Sequence, residues 1–298
     1  MATKTVARRT TRATKATKAN GAKKVATVTK ATKASGVAPA LSPEQVSQVL
    51  ELIKGANSVE LKLSVPLVSH QATIRAIGLD PVEAQPRQAF FFDTPDLALN
   101  RAGLVVRVRR TQGGTADTVI KLRPVDPATI DEELRRSASF KVEVDVMPGG
   151  FVCSASFKGV CPTKQARDVT AGLAPLSSLF SKEQRAFFKA HAPKGLSLDK
   201  LSVLGPTFVL KAKHQPQDFD RRIVVEMWLY PDGSRILEVS TKGLPAEAFQ
   251  VGATFKAYLA KLGVSLAAPQ ETKTKAALDF YKAKVKSDLG GVVPATMQ

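Results

Sequence analysis

Between residues 58 and 240 the chain alternates apolar and polar positions with a period of two in eight separate stretches. They are SVELKLSV (58–65), QAFFFDT (88–94), GLVVRVRR (103–110), DTVIKLR (117–123), SFKVEVDVM (139–147), TFVLKAK (207–213), RRIVVEMWLY (221–230) and SRILEVS (234–240). Alternation of this kind marks β-strands with two unlike faces. Short links, TQGGTA after the third stretch and PDG before the last, predict antiparallel pairing of neighbours.

Helical spacing fills 69–80, 164–193 and 247–286, the last with Phe255, Tyr258, Leu259 and Leu262 in register. The folded part opens at LSPEQVSQVLELIKG, where Ser42 is the N-cap, Pro43 the first helical residue and Gln45 the partner in a capping box; Gly55 stops the helix. In DTPDLALNRAG, Asp93 or Thr94 caps a short helical turn that Pro95 starts and Gly103 ends. Strands with helices inserted between them predict an α+β fold: a mainly antiparallel eight-stranded β-barrel with covering helices, which leaves no open edge. A two-sheet sandwich is the competing arrangement.

The polar faces bear on that choice. Arg107 and Arg109 point one way and Val106 and Val108 the other. Glu60 shares a face with Lys62, Lys121 with Arg123, Lys141 with Glu143 and Asp145, and Lys211 with Lys213. The opposite faces read Leu61/Leu63, Ile120/Leu122, Val142/Val144/Val146 and Phe208/Leu210. A wet face mixes Ser, Thr and Gln with scattered charge. Charge at adjacent same-face positions in strand after strand predicts instead a cationic bore with a few carboxylates, under helices that cover the apolar exterior.

The charge balance extends this picture. The 298 residues carry +18, of which +10 falls in residues 1–36 with no acid among them, leaving +8 for the rest. The repetitive Thr-Lys-Ala segment lacks Leu, Ile and aromatic residues, so it cannot bury enough apolar surface to offset its chain entropy. Residues 1–40 are expected to be a disordered basic tail, 41–286 one folded domain and 287–298 a disordered C-terminal tail. Such a basic tail contacts nucleic acid or polyphosphate nonspecifically through counterion release, or acts only as a solubilising extension. No secretory signal and no stretch of about 18 apolar residues is present, which predicts no membrane partner and a cytoplasmic protein. Cys153 and Cys161 fit no metal or redox spacing; they are expected as two free thiols, with a bridge across a hairpin as the alternative. His70, His191 and His214 are isolated, which speaks against a histidine zinc site or a Ser-His-Asp triad, so the chemistry falls to carboxylates, lysines and arginines. Trp228 and the Phe90–Phe92 run are expected to pack, not to stack on a base.

The succession VELKL, FFFDTPDLALNRAGLVVRVRR, TVIKLRP and ILEVS resembles the CYTH family, also called triphosphate tunnel metalloenzymes. The resemblance spans residues 58 to 285 and is most specific from 90 to 123. It implies an eight-stranded antiparallel tunnel in which basic residues grip a triphosphate or polyphosphate and carboxylates hold Mg²⁺ or Mn²⁺. The activities it implies are inorganic triphosphatase or polyphosphatase, thiamine triphosphatase and, less well supported here, adenylate cyclase. Carried over by position, the phosphate-binding residues are Lys62, Arg107, Arg109 and Lys121, with Lys211 or Lys213 from a later strand and Lys275 from the C-terminal helix. The metal ligands are Glu60 and Glu238, with Glu143 or Asp145 beside it. No catalytic residue is assigned, and the oligomeric state is not legible.

The departures weaken the metal site. Ser58 stands at the first Glu of the opening motif, Ser240 at the second Glu of the closing motif, and Tyr230 where the family usually has an Asp. Each removes a charge from the metal pocket, unless Glu143, Asp145 or Glu226 supplies it from another direction. A binding module without turnover is therefore the alternative to a hydrolase.

Overall fold

The computed structural model describes residues 42–265, 270 and 272–290, with backbone alone for 283–290. The expected basic tail, residues 1–40, lies outside the described residues, as do 291–298.

Nine strands form where the alternation predicts eight. In chain order they are β1 (Ser58–Val65), β2 (Gln85–Asp93), β3 (Leu104–Thr111), β4 (Ala116–Leu122), β5 (Phe140–Met147), β6 (Gly150–Cys161), β7 (Ser202–His214), β8 (Ile223–Leu229) and β9 (Arg235–Gly243). They close a barrel in the order β1-β5-β6-β4-β3-β2-β7-β8-β9. The unforeseen strand is β6. Its sequence, GFVCSASFKGVC, puts Gly, Val, Ser and Lys on one face and Phe, Cys, Ala and Gly on the other, with small residues on both, so the contrast that reveals a strand is weak. It pairs with β5 across the Pro148–Gly149 turn, where Gly149 takes φ +79°.

A second departure is the one parallel pairing, β1 with β5, where Ser58 faces Glu143 and Glu60 faces Asp145. Three strands and several helices separate the two in sequence, and a parallel pair needs such a long crossover. The barrel is thus mixed, antiparallel at every other seam.

Eight α-helices are found among the described residues: α1 (Pro43–Lys54), α2 (His70–Ile77), α3 (Ala98–Arg101), α4 (Glu132–Arg136), α5 (Thr163–Thr170), α6 (Lys182–His191), α7 (Ala248–Lys261) and α8 (Lys273–Gly290). The capping box of Ser42 and Gln45 opens α1 and Gly55 ends it. α3 begins at Ala98, after Leu97 at φ +59°, and not at Pro95; both candidates still serve its first turn, the buried Asp93 carboxylate accepting from the Thr94, Leu99 and Asn100 amides and Thr94 Oγ1 from Ala98 N. Gly103 follows at φ +76°, and a Cβ there would lie 2.5 Å from the Arg123 carbonyl oxygen. α8 runs through Gly290, past residue 287 where the C-terminal tail was expected to begin.

Helices cover most of the outer face of the barrel, leaving Phe208 of β7 half exposed. Val49 and Ile53 of α1, Val169 of α5 and Phe187 and Phe188 of α6 pack with Val106, Val108, Ile120, Val142 and Phe157. Phe187 meets Phe140 and Phe157 at centroid distances of 5.8 and 5.4 Å, which fixes α6 on the β5–β6 hairpin. Ile77 of α2 and Phe255, Tyr258 and Leu259 of α7 pack with Leu63, Val65, Ile223, Val225, Leu237 and Val239. A third cluster is different. Ala277, Leu278 and Tyr281 of α8 pack with Ala89, Phe91, Val105, Val209 and Trp228, residues in register with the inward-facing arginines, and so close one end of the barrel with apolar side chains. Phe90 and Phe92 sit in the outer core and Phe91 in this plug, all as packing residues.

Cys153 and Cys161 are free and buried on the single strand β6. Eight residues along one strand span about 26 Å, which rules out a bridge across a hairpin. Burial pushes the Cys153 thiol up to about 12, so it is unreactive. Among the described residues no helix is long and apolar enough to cross a membrane.

Candidate functional site

The inward faces of the strands enclose a cavity of about 680 Å³, within the range of about 300–1,000 Å³ usual for small-ligand sites. Period-two geometry puts the charges there. On β3, Val106 and Val108 go to the outer core while Arg107 and Arg109 face the lumen. Among the described residues the lumen is lined by nine cations, Lys62, Arg107, Arg109, Lys121, Arg123, Lys158, Lys211, Lys242 and Lys273. Six carboxylates face them: Glu60, Asp117, Glu143, Asp145, Glu226 and Glu238. The lumen is a net cation.

Of the residues singled out from the sequence, the structure brings together Lys62, Arg107, Arg109, Lys121, Lys211, Glu60, Glu143, Asp145 and Glu238. Two lie elsewhere. Lys213 is exposed, past the region of β7 that faces the cavity. Lys275 projects from α8 with a side chain 67% exposed and pairs with Asp279, one helical turn on. The lysine of α8 that enters the lumen is Lys273, 16% exposed.

The lumen contacts between lysines and carboxylates fall into three sets. Lys62 Nζ stands 3.0 Å from Asp145 and 3.3 Å from Glu60, and Lys121 Nζ 3.7 Å from the same Asp145 oxygen. Lys242 bridges Glu143 at 2.6 Å and Glu60 at 3.6 Å, with Lys158 at 3.3 Å on the other Glu143 oxygen. Lys273 bridges Glu226 and Glu238, the latter at 2.7 Å, while Lys211 takes the second Glu226 oxygen at 2.6 Å. The two serines at glutamate positions serve these carboxylates: Ser58 Oγ donates to Glu143 at 3.4 Å and Ser240 Oγ to Glu60 at 3.2 Å. Tyr230 OH donates to the Lys273 carbonyl at 3.0 Å, tying the start of α8 to the barrel.

Charges in this low-dielectric space perturb one another. Burial opposes the charge on Lys62, but Asp145, Glu60 and Glu238 outweigh it and hold its pKa above the ordinary lysine value. Lys121 goes the other way: burial, together with Lys62 and Arg123 nearby, brings it down to about 8. Burial and Arg109 bring the Arg107 guanidinium down to about 10, and its Nε is buried with no hydrogen-bond partner. Burial works against the Glu143 charge, yet Lys242 and Lys158 bring that carboxyl down to about 2. Asp145, under Lys62 and Lys121, and Glu226, under Lys273 and Lys211, are likewise held well below the usual carboxylate range.

These carboxylates do not fit a divalent ion. All four expected ligands, Glu60, Glu143, Asp145 and Glu238, are already engaged by lysine ammonium groups. Among the described residues no three His, Cys, Asp or Glu side chains gather as a metal cluster. Asp145 Oδ1 is buried without a partner, but Lys62 and Lys121 flank its other oxygen and repel a further cation.

Several lumen residues escaped the sequence reading. Arg123 was on the recognised face but not carried into the site. Lys158 lies on the unforeseen β6, and Lys242 lies past the expected end of β9 at residue 240, on the parity of Glu238. Asp117 shares the face of Lys121, a signal present in the alternation. Glu226, which the sequence offers as an alternative source of charge for the metal pocket, obeys strand parity and stands opposite Glu238.

Neither the family models nor the curated proteins contain a match to this sequence. Solved structures do match. A Bacillus halodurans protein provisionally described as an adenylate cyclase aligns with a TM-score of 0.53 at 14% identity, over 74% of this chain and 97% of its own. An adenylyl-cyclase candidate from Hippeastrum, described as having a dominant triphosphatase activity, aligns with a TM-score of 0.52 at 16% identity, over 80% of this chain and 99% of its own. At such identities the likeness concerns the fold. A closed barrel with cations inside, helices outside and these structural counterparts gives the chain the fold of the CYTH, or triphosphate tunnel, proteins.

Proposed function

We propose that the lumen binds a triphosphate or a stretch of inorganic polyphosphate. The observation that carries this reading is the excess of cations over carboxylates within one enclosed cavity. Low-dielectric walls focus that field, and a polyanion offsets the burial and like-charge repulsion that lower the pKa of Arg107 and Lys121. Guanidinium forks and ammonium groups meet phosphate oxygens with charge-assisted hydrogen bonds, roughly twice as strong as neutral ones. Arg107, Arg109, Lys121 and Arg123 form the main clamp. Lys62 acts through its contacts with Asp145 and Glu60, keeping those carboxylates neutralised.

Among the described residues, the aromatic side chains near the lumen are engaged in packing. Phe91 and Trp228 are buried under α8, and Lys273 Nζ lies 5.4 Å over the Trp228 ring. We therefore take the phosphate chain, not a base, as the recognised group. Free, buried cysteines agree with a reducing, cytoplasmic setting.

Hydrolysis is the second reading, favoured by the triphosphatase activity described for the Hippeastrum protein. In that reading a divalent ion such as Mg²⁺ or Mn²⁺ bound with the phosphates would neutralise charge on the transferred phosphoryl. The lysine-paired carboxylates favour binding without turnover. One experiment separates the two: calorimetric titration of tripolyphosphate alongside phosphate release from tripolyphosphate, ATP and thiamine triphosphate, with and without Mg²⁺ or Mn²⁺. Binding without release is expected. Release establishes the hydrolase, and absence of binding removes the site.

A further inference from the structure

Glu226 and Glu238 are directly paired across β8 and β9, both inward and both buried. Two carboxylates set side by side in a closed lumen repel each other unless a cation lies between them. Lys273 supplies that cation. Its ammonium reaches Glu226 Oε2 and Glu238 Oε1, and Lys211 takes Glu226 Oε1. Two acids and two lysines make the group neutral within itself. We propose that Lys273 is a tethered counter-cation occupying the place a divalent ion would take between Glu226 and Glu238, so that the tunnel holds its phosphate ligand without metal. This rests on the phosphate-binding reading for the identity of the ligand alone.

The lysine is held in place by more than its charge. Tyr230 OH donates to the Lys273 backbone carbonyl, and Tyr281 OH donates to the Pro206 carbonyl at 2.6 Å. Ala277, Leu278 and Tyr281 seat the same helix in the barrel end. The ammonium also lies over the Trp228 ring, whose Nε1 donates to Glu226 Oε2 at 3.2 Å. A metal ion at this point would have to break both Lys273 ion pairs and leave a buried ammonium without counter-charge, or lift α8 out of its apolar seat. Mg²⁺ adds the demand of an octahedron at about 2.0–2.1 Å, in space the ammonium fills.

The test is Mn²⁺ uptake by the full chain, followed by the electron-paramagnetic resonance of the free ion, for wild type, Lys273→Ala and Lys273→Ala/Glu238→Gln. Wild type should leave Mn²⁺ free, Lys273→Ala should take up one equivalent, and Glu238→Gln should abolish the gain. Tripolyphosphate affinity of the wild type, by calorimetry, should be unchanged by excess EDTA. Stoichiometric Mn²⁺ uptake by wild type without ligand, or loss of tripolyphosphate binding in EDTA, overturns the proposal. So does a folded Lys273→Ala protein that takes up no Mn²⁺. Should Lys273→Ala unfold by circular dichroism, Lys273→Met retains the apolar stem and replaces it, and the wild-type measurements decide independently. Failure of tripolyphosphate to bind with or without metal defeats the ligand reading, while the Mn²⁺ measurements still judge Lys273.

Discussion

The Arg107 guanidinium stops 3.9 Å from Asp117 Oδ1, while Arg109 Nε donates to the other oxygen of the same carboxylate at 2.8 Å. One carboxylate thus neutralises Arg109 closely and Arg107 only at a distance. Arg107, with an unpartnered buried Nε, keeps most of its hydrogen-bonding capacity for a ligand. Arg107→Ala should weaken tripolyphosphate binding by about 10- to 150-fold, the value of one hydrogen bond to a charged group. Asp117→Asn should tighten it, since an anion then meets one fewer competitor. Calorimetry checks both, and unchanged affinity in Arg107→Ala would remove the guanidinium from the clamp.

Lys121 gives the site a pH dependence. Its pKa in the folded chain is about 8, below the ordinary lysine value, because burial disfavours its charge. A polyanion binds the protonated form, so affinity should fall as pH rises through 8. Binding should also raise that pKa and take up protons, making the calorimetric heat depend on the buffer at pH 8. Lys121→Arg, charged throughout, should bind with a flatter profile. An equally steep fall in the variant would assign the titration to another group.

Acid should unfold the protein by removing its ion pairs. Glu143, Asp145 and Glu226 all have pKa values lowered by folding, with Glu143 at about 2. Their contribution is complete above the unfolded values, 4.5 for the two Glu and 3.8 for Asp145, and is lost as pH falls towards 2 and below. The melting temperature should therefore drop steeply from pH 5 to pH 2.5. Glu143→Gln should shallow that drop, because its group no longer titrates.

Gly103 and Gly78 test backbone strain against contact. Both have φ +76°, but a Cβ at Gly78 meets nothing within 4 Å, whereas at Gly103 it meets the Arg123 carbonyl oxygen. Gly78→Ala should lose about 1–2 kcal/mol, the usual penalty of left-handed backbone, and Gly103→Ala distinctly more. Urea unfolding measures both. Equal losses would mean that the β3 approach to Arg123 relaxes freely.

The basic tail makes a separate prediction. Residues 1–36 contribute ten positive charges without an acid. Deleting them should flatten the salt dependence of nonspecific DNA binding, because fewer phosphate counterions are released. An unaltered slope would take the tail out of the contact.

The alternating stretches made most of the barrel legible, along with the face on which Lys62, Arg107, Arg109 and Lys121 lie. Parity is a local property of extended backbone, so each of those side chains has its side decided within its own strand. Capping at Ser42 and at Asp93–Thr94 was legible for the same reason. Where the pattern was weak, as in the Ser- and Gly-rich β6, a strand and its Lys158 went unseen.

The choice between Lys273 and Lys275 shows a different limit. Residues two apart on a helix differ by about 200° around its axis, so an error of two positions exchanges the inner face for the outer. Nothing local in ETKTKAAL selects the rotation of α8; the apolar seat of Ala277, Leu278 and Tyr281 and the Tyr230 hydrogen bond do. The parallel β1–β5 seam, which puts Glu60 beside Asp145, is likewise a contact between distant segments. By itself the sequence determined which strands carry charge and on which side, because side-chain alternation follows from the backbone alone. Only the tertiary structure decided which opposite charges meet, and hence that lysines hold the carboxylates, because ion pairing depends on distances set when the barrel closes.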